Sequence, residues 1–404
     1  MTKKPLVLVI VQNLPLPGDR RVWLECKSLR DEGYEVAAIT PAAPGDSRYE
    51  LHEGVHLWKY KPPRSTESKV SFVWEFVYCW IRTLVLALNV TWKLRRPAVI
   101  QTCNPPDTYW LLGLLFRPFG TRFVFDQHDL NPELFESRFG KRGPLYRALC
   151  LLEKANYRVA DQVVSTNESY AQTAVERGGV DRACVTVVRT GPDTDLLRPS
   201  DPDVSLKRGR EFLVHFHGVM GPQDGVDLVI QAAYEITHRH GRDDVFFSVL
   251  GAGDCWTELR ARVTALGLDD VVYMPGRVSD EELFSHLSTA DLGLSADPPN
   301  PLNDVSTMNK TMEYMAFGVP IVAFDLKETR VSAGDSAIFV ADASADAYAD
   351  QIVRLLDDPV SRKSMSEKGM HRARTELDWK FQRAAYVAAI DAALSHSASE
   401  RSSS

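Results

Sequence analysis

The chain is predicted to be an α/β protein of two successive doubly wound parallel sheets, and three observations carry that prediction. Short β-branched runs alternate with helical patterns through the first half; the alternation stops in a turn-rich stretch, Arg189–Asp203; and it restarts at Phe212. Strands interleaved with helices are the mark of βαβ units and parallel sheets. The first set is LVLVIV (6–11), VAAI (36–39), AVIQ (98–101), RFVFD (122–126), QVVST (162–166) and VTVV (185–188). The second is FLVHF (212–216), VFFSVL (245–250), VVYM (271–274), LGLS (292–295), PIVAF (320–324) and AIFV (337–340). Such sheets take ligands beyond the carboxyl ends of their strands, so the residues just after each run are the ones of interest.

Composition narrows the class. The 404 residues are 44% hydrophobic and 25% charged, enough for two cores. A net charge of −7 argues against a general nucleic-acid binder. Six cysteines without a C-x-x-C pair suit reduced core thiols in a cytosol rather than a disulfide framework or zinc site. Met1-Thr-Lys-Lys leads directly into the first strand, an apolar run too short for a signal peptide.

In chain order, Pro15, Pro17 and Gly18 form a stiff turn after the first strand, and Asp19 is placed to cap a helix from Arg20 to Arg30. Arg20 and Arg21 then sit against the dipole of that helix, a placement that invites an anionic partner, either a ligand or Asp19 itself. Residues 71–90 are nearly all apolar but contain Glu75 and Arg82, which disfavours a membrane span. With Trp74, Tyr78, Trp80 and Trp92 beside Lys93, Arg95 and Arg96, residues 71–96 read as an interfacial helix, or as a core helix with an apolar face for a neighbour. Asn104 to Asp107 follow one strand; His128, Asp129 and Glu133 follow the next.

Asn303 to Asp325 is the most informative stretch. Ser306, Thr307 and Met308 precede a helix whose first-turn amides form an anion seat. Lys310 and Glu313 share one face of that helix, placed for a phosphate and a ribose diol respectively. Gly318 and Pro320 close it before a buried strand. Earlier, Gly218-Val-Met-Gly-Pro-Gln-Asp-Gly225 has the glycines of a phosphate-approaching turn.

Lys310, Glu313, Tyr314, Met315, Ala316, Gly318 and Pro320 together resemble the donor-nucleotide motif of glycosyltransferase family 4. The resemblance extends over essentially the whole chain and implies a GT-B fold: two Rossmann-like domains across a cleft, with a last helix returning to the first domain. It implies catalytic candidates His128, Asp129 and Glu313. Donor contacts fall on Gly218, Gly221, Arg277, Val278, Ser306, Thr307, Met308, Lys310 and Glu313. Acceptor-side residues are Asp19, Arg20, Arg21, Asn104 and Glu133. The Asp193/Asp195 pair is read as bracing the interdomain turn rather than as a metal site. Expected boundaries are 1–195 with 379–396, a linker 196–210, a donor domain 211–378 and a disordered tail 397–404.

The chain departs from the family pattern at four places. Pro-Leu-Pro-Gly replaces a Gly-Gly loop at residues 15–18; Val219 and Asp224 stand where an Arg and a Lys neutralise the diphosphate; and Val305 replaces the first of two paired glutamates, leaving Asp304 beside it as a substitute. Lys310, Arg277 and Arg20 or Arg21 are the remaining candidate cations. The implied activity is retaining transfer of a sugar from a UDP- or GDP-linked donor to a glycan or lipid-linked acceptor in cell-surface polysaccharide or glycoconjugate synthesis. No metal or other cofactor is expected, and the protein is expected in the cytoplasm, in peripheral contact with the inner membrane face. The alternatives are a sugar-nucleotide epimerase of the same fold and a non-catalytic nucleotide-binding partner of another glycosyltransferase.

Overall fold

The computed structural model describes residues 4–63 and 69–402; the side chains of 69–73, Glu75 and 396–402 lie outside the described residues. The chain divides into two compact units, residues 1–136, 141–189 and 382–404, and residues 137–140 with 190–381.

The first unit is built on β1 (Leu6–Ile10), β2 (Glu35–Pro41), β3 (Tyr49–His52), β4 (Val55–Tyr60), β5 (Val99–Cys103), β6 (Arg122–Gln127), β7 (Gln162–Ser165) and β8 (Val185–Val187), in the order β3-β4-β2-β1-β5-β6-β7-β8. All neighbours are parallel except the β3–β4 hairpin. That hairpin was not expected. Its strands, YELH and VHLWKY, alternate polar with apolar residues and lack the continuous apolar run by which the other strands were read. Leu6, Leu8, Ile10, Ile39, Ile100, Phe123 and Phe125 are buried against helices on one face.

The second unit holds β9 (Phe212–Val219), β10 (Val245–Ala252), β11 (Val272–Gly276), β12 (Leu292–Ser295), β13 (Ile321–Phe324) and β14 (Ala337–Val340), all parallel, in the order β11-β10-β9-β12-β13-β14. The strand order reverses between β9 and β12, which is where a doubly wound sheet opens a crevice. Backbones come unusually close at the β9 and β10 ends: a Cβ on Gly251, whose φ is +137°, would lie 1.9 Å from the Gly218 carbonyl oxygen. Only glycine permits that approach.

The chain passes from one unit to the other at Arg189/Thr190, ahead of the expected boundary at 195, and residues 196–210 belong to the second unit. Thr194 is hydrogen-bonded to Asp378, and the Trp379 N–H donates to the Pro192 carbonyl at 2.9 Å, so two passages of the chain lie against each other there. The Asp193 carboxylate accepts from the Asp195 N–H within the turn. The final helix, Trp379–Ser402, runs on through most of the stretch expected as a disordered tail; residues 403 and 404 lie outside the described residues.

The Lys69–Lys93 helix presents Trp74, Val77, Ile81, Val85, Leu88 and Trp92 as exposed residues. Their spacing of three and four places them on one stripe. No helix among the described residues is long and apolar enough to cross a membrane.

Candidate active site

In the first unit the residues after β5 and β6 are brought together by Asn104. Its amide oxygen accepts from the His128 N–H at 2.7 Å and the Asp129 N–H at 3.2 Å, while its NH2 donates to the Asp129 carbonyl and the Asp107 carboxylate. Asn104 therefore shapes the His128–Asp129 loop. It is nearly fully buried, which suits a loop-forming role better than the contact with acceptor expected of it. Asp107 is buried under Asn104, Asn131 and Asn156, and burial pushes its carboxyl up to about 6 against the hydrogen bonds from Asn131 and Asn104.

The His128 Nε2 lies 2.8 Å from Asp126 Oδ2. Asp126 belongs to a buried network. Arg21 Nη2 is 3.2 Å from Asp126 Oδ1, Arg21 Nε is 3.1 Å from Glu25 Oε1, and Arg21 Nη1 donates to the Val188 carbonyl at 2.8 Å. Gln101 donates to Glu25 at 2.8 Å and to Asp126 at 3.0 Å while accepting from the Tyr386 hydroxyl at 2.6 Å. Burial drives the Glu25 carboxyl far above the usual carboxylate range, and the Asp126 charge adds to this. Burial also opposes ionisation of Asp126, but His128 and Arg21 outweigh it and hold that carboxyl well below the usual range. Arg21 thus sits between two buried carboxyl groups, of which Asp126 ionises readily and Glu25 reluctantly, so the charge is shared within a closed network.

This revises the reading of Arg21. Within its own unit the guanidinium is paired with the Asp126 and Glu25 carboxyl groups and lies 3.3 Å from His128 Nε2. Glu25, Cys103, Asp126 and His128 each place a potential metal-ligand atom within 4.8 Å of the others, but Arg21 already supplies a positive charge to that cluster. Asp19 caps the Arg20–Asp31 helix, accepting from the Val22 N–H at 3.1 Å, and Arg20 is the first residue of that helix. Glu133, expected on the acceptor side, is ion-paired with Arg177, which also binds the buried Glu153 at 2.7 Å. Burial pushes the Glu153 carboxyl up to about 7 against that arginine.

In the second unit the Asn309–Phe317 helix begins after the Ser306–Met308 loop. Met308 is its N-cap and offers no side-chain hydrogen bond to the first turn, and Ser306 Oγ donates to the Leu302 carbonyl. Lys310 Nζ is 2.8 Å from both Asp297 oxygens and lies 5.0 Å from the centre of the Phe216 ring. Its Cε would be 3.5 Å from a Cβ at Gly218, which brings the lysine to the glycine turn. In that turn the Asp224 carboxylate accepts from the Gly221 N–H at 2.7 Å. Burial pushes the Asp224 carboxyl up to about 6, opposed by Lys310 and helped by Asp297. An acidic group therefore occupies an amide of the turn, at the position where the family pattern has a lysine.

Glu313 Oε2 lies 2.6 Å from His217 Nε2. The His217 ring stacks on His215, with centroids 5.2 Å apart, and meets Tyr314 edge-on at 5.0 Å. The Tyr314 hydroxyl donates to the His215 and Leu294 carbonyls, locking the helix to β9 and β12. Arg277 is exposed and makes no hydrogen bond or ion pair among the described residues, and Val278 beside it is half-buried. Asp304, the expected substitute for the missing glutamate, is engaged elsewhere: its carboxylate accepts from the Lys327 N–H at 2.9 Å, at the start of the next helix.

Sequence reasoning missed His217, Asp297, Asp126 and Glu25. Two histidines at alternate positions of a buried strand, His215 and His217, were a readable anomaly, as was an Asp two residues beyond β12. Glu25 was legible only as one more polar position on a helix.

Two parallel α/β units, the second with a glycine turn, a lysine and a glutamate at the carboxyl ends of its strands, define the GT-B class. Residues 18–191 match the family model described as "Glycosyl transferase 4-like domain", and residues 211–358 match "Glycosyl transferases group 1". The chain belongs to the family 4 glycosyltransferases. It is 32% identical over 157 residues to the alpha-D-kanosaminyltransferase of Streptomyces kanamyceticus, covering 38% of this chain and 39% of that protein. It is 26% identical over 272 residues to the MMP alpha-(1->4)-mannosyltransferase of Mycolicibacterium hassiacum, covering 66% and 63%. The chain thus spans from about two fifths to just under two thirds of these two relatives. Among solved structures, sucrose-phosphate synthase of Thermosynechococcus elongatus aligns with a TM-score of 0.73 at 17% identity, covering 94% of this chain and 96% of that one. HepE of Anabaena in complex with UDP-glucose aligns with a TM-score of 0.73 at 15% identity, covering 96% and 100%. These two likenesses establish the fold.

Proposed function

We propose that the chain is a retaining glycosyltransferase that moves a sugar from a UDP- or GDP-linked donor to a glycan or lipid-linked acceptor, in cell-surface polysaccharide or glycoconjugate synthesis. The observation that carries this reading is the convergence of Lys310, Glu313 and the Gly218–Gly225 turn at the strand ends of the second unit. Glu313 accepts from the ribose hydroxyls. Lys310, the loop before its helix and the first-turn amides take the charge that develops on the diphosphate as the bond to the sugar C1 breaks. A new bond then forms from an acceptor hydroxyl oxygen to C1 with the configuration kept, and the hydroxyl proton passes to the departing diphosphate. No metal is needed in this scheme, because lysine and amides stabilise the leaving group. His128 and Asp129 are the groups of the first unit proposed to serve the transferred sugar and the acceptor. The UDP-glucose named for the Anabaena structure supports a nucleotide-sugar donor.

Calorimetry tests the reading. Glu313→Gln is expected to weaken binding of the donor nucleotide by about 1.5–3 kcal/mol, or roughly 10- to 100-fold, the range for hydrogen bonds to a charged group. Unchanged affinity would remove Glu313 from the site. A thermal-shift panel of UDP, GDP and ADP identifies the base, since a ligand specific for the native state raises stability. Free nucleotide released only when acceptor is present marks a transferase; an isomeric sugar nucleotide formed without acceptor would mark an epimerase; binding without turnover would mark a non-catalytic partner.

A lipid-linked acceptor suits the stripe from Trp74 to Trp92, which ends beside the exposed Lys93 and Arg96. Apolar and aromatic groups next to cations favour an anionic bilayer surface at the cytoplasmic face. Ile81→Ser with Leu88→Ser is expected to abolish sedimentation with phosphatidylglycerol vesicles; retained sedimentation would discard the membrane contact.

A further inference from the structure

His217 stands outside the residues by which the family was recognised, yet it touches the most informative of them. It occupies β9 immediately before Gly218, so one short passage of chain both approaches Lys310 and contacts Glu313. Its ring is fixed from several sides. His215 stacks beneath it, Tyr314 closes one edge, and His215 is itself tied through Nδ1 to Ser248 Oγ at 2.7 Å and stacked on His286 at 5.9 Å. Burial, with His217 and His286 adding to it, holds His215 far below the usual imidazole range, so the platform beneath His217 is uncharged. The His217 Nδ1 is buried with no hydrogen-bond partner among the described residues. A proton there would leave a buried donor unsatisfied, which favours the tautomer carrying its proton on Nε2.

We infer that His217 is a positioning residue for nucleotide recognition: its Nε2–H donates to one oxygen of Glu313 and fixes the carboxylate at the angle that accepts the vicinal diol of a ribose. The inference rests on the reading of Glu313 as the ribose-binding group. A long glutamate side chain loses rotamer freedom whenever it is held, and a ring already immobilised by stacking supplies that restraint before the ligand arrives.

The test is calorimetry of the full chain with UDP and GDP and with their 2′,3′-dideoxy analogues, which keep base and diphosphate but lack the diol. His217→Phe keeps the stack and removes the donor. It is expected to weaken binding of the ribonucleotide by about tenfold, the scale of one hydrogen bond to a charged group, and to leave the dideoxy analogue unchanged. His217→Gln, which restores an N–H donor, is expected to recover most of that loss. Should the phenylalanine variant fail to fold in a thermal melt, His217→Leu against His217→Gln makes the same comparison. Equal weakening of both ligands, or a preference for ribose kept at the wild-type level, overturns the inference. Glu313→Gln separates the two levels: if it too keeps the full ribose preference, the reading of Glu313 falls as well; if it loses that preference while His217→Phe keeps it, only the role of His217 falls.

Discussion

Both units place a histidine against a carboxylate near the carboxyl end of a buried strand, His128 on Asp126 in the first and His217 on Glu313 in the second. Their cations differ. Arg21 is sealed between Asp126 and Glu25, with side chains 6%, 0% and 0% exposed, and both of these partners lie within the unit's own core. Among the described residues Lys310 is ion-paired with one carboxylate, Asp297, beside a turn of glycines, and its helix starts without a side-chain cap. The first arrangement is closed off and holds a shape. The second pairs a flexible ammonium with one carboxylate, an arrangement suited to exchange that partner for a phosphate.

The largest expected effect breaks the first arrangement. Asp126→Ala leaves Arg21 short of its main counter-charge in the core, and a loss of about 3–5 kcal/mol is expected in chemical denaturation, as for a buried pair deprived of one member. A loss under 1 kcal/mol would mean that Glu25 ionises in its place. In the second arrangement, Lys310→Met is expected to weaken binding of a nucleoside diphosphate by about 10- to 30-fold, as for a charge-assisted contact, while leaving the free nucleoside unaffected. If both ligands weaken alike, the lysine is structural.

Protonation distinguishes the units less sharply. Burial raises Asp107 and Asp224 to about 6 and Glu153 to about 7. A carboxyl raised on folding contributes stability that is present below its unfolded value near 4 and lost as pH rises through its folded value. Stability should therefore decline between about pH 4 and 7 by on the order of 1–2 kcal/mol for each such group, after allowance for the partial exposure of Asp224. Melting of Asp107→Asn and Asp224→Asn at pH 5 and pH 7.5 should show a narrower gap than wild type. The smallest effect is assigned to Arg277→Ala: about a threefold loss of diphosphate affinity that fades in high salt, as expected of an exposed charge.

Much of the fold was legible because buried parallel strands advertise themselves as apolar runs, and each such run became a strand within a residue or so at most ends. The hairpin Tyr49–Tyr60 was not, since its alternating polar residues resemble a loop. Lys310 and Glu313 were found because a helix spacing and a family motif coincide there. His217 and Asp297 are separated from their partners by 96 and 13 positions, and only tertiary pairing joins them, whereas Asp126, two positions before His128, was hidden as the last residue of an apolar strand run. Arg21 shows the opposite failure: the local dipole argument rightly demanded an anion, but the anion is Asp126, supplied by a strand more than a hundred residues away.

Tyr386, near the end of the chain, donates its hydroxyl to Gln101, which in turn holds Glu25 and Asp126. On a ribosome the order of completion is therefore inverted. Residues 190–381 emerge as an almost continuous body, whereas the ionic core begun at Arg21 stays open until Tyr386 has been made. A premature stop after residue 381 would spare the later-made body and leave the earlier-made one unfinished.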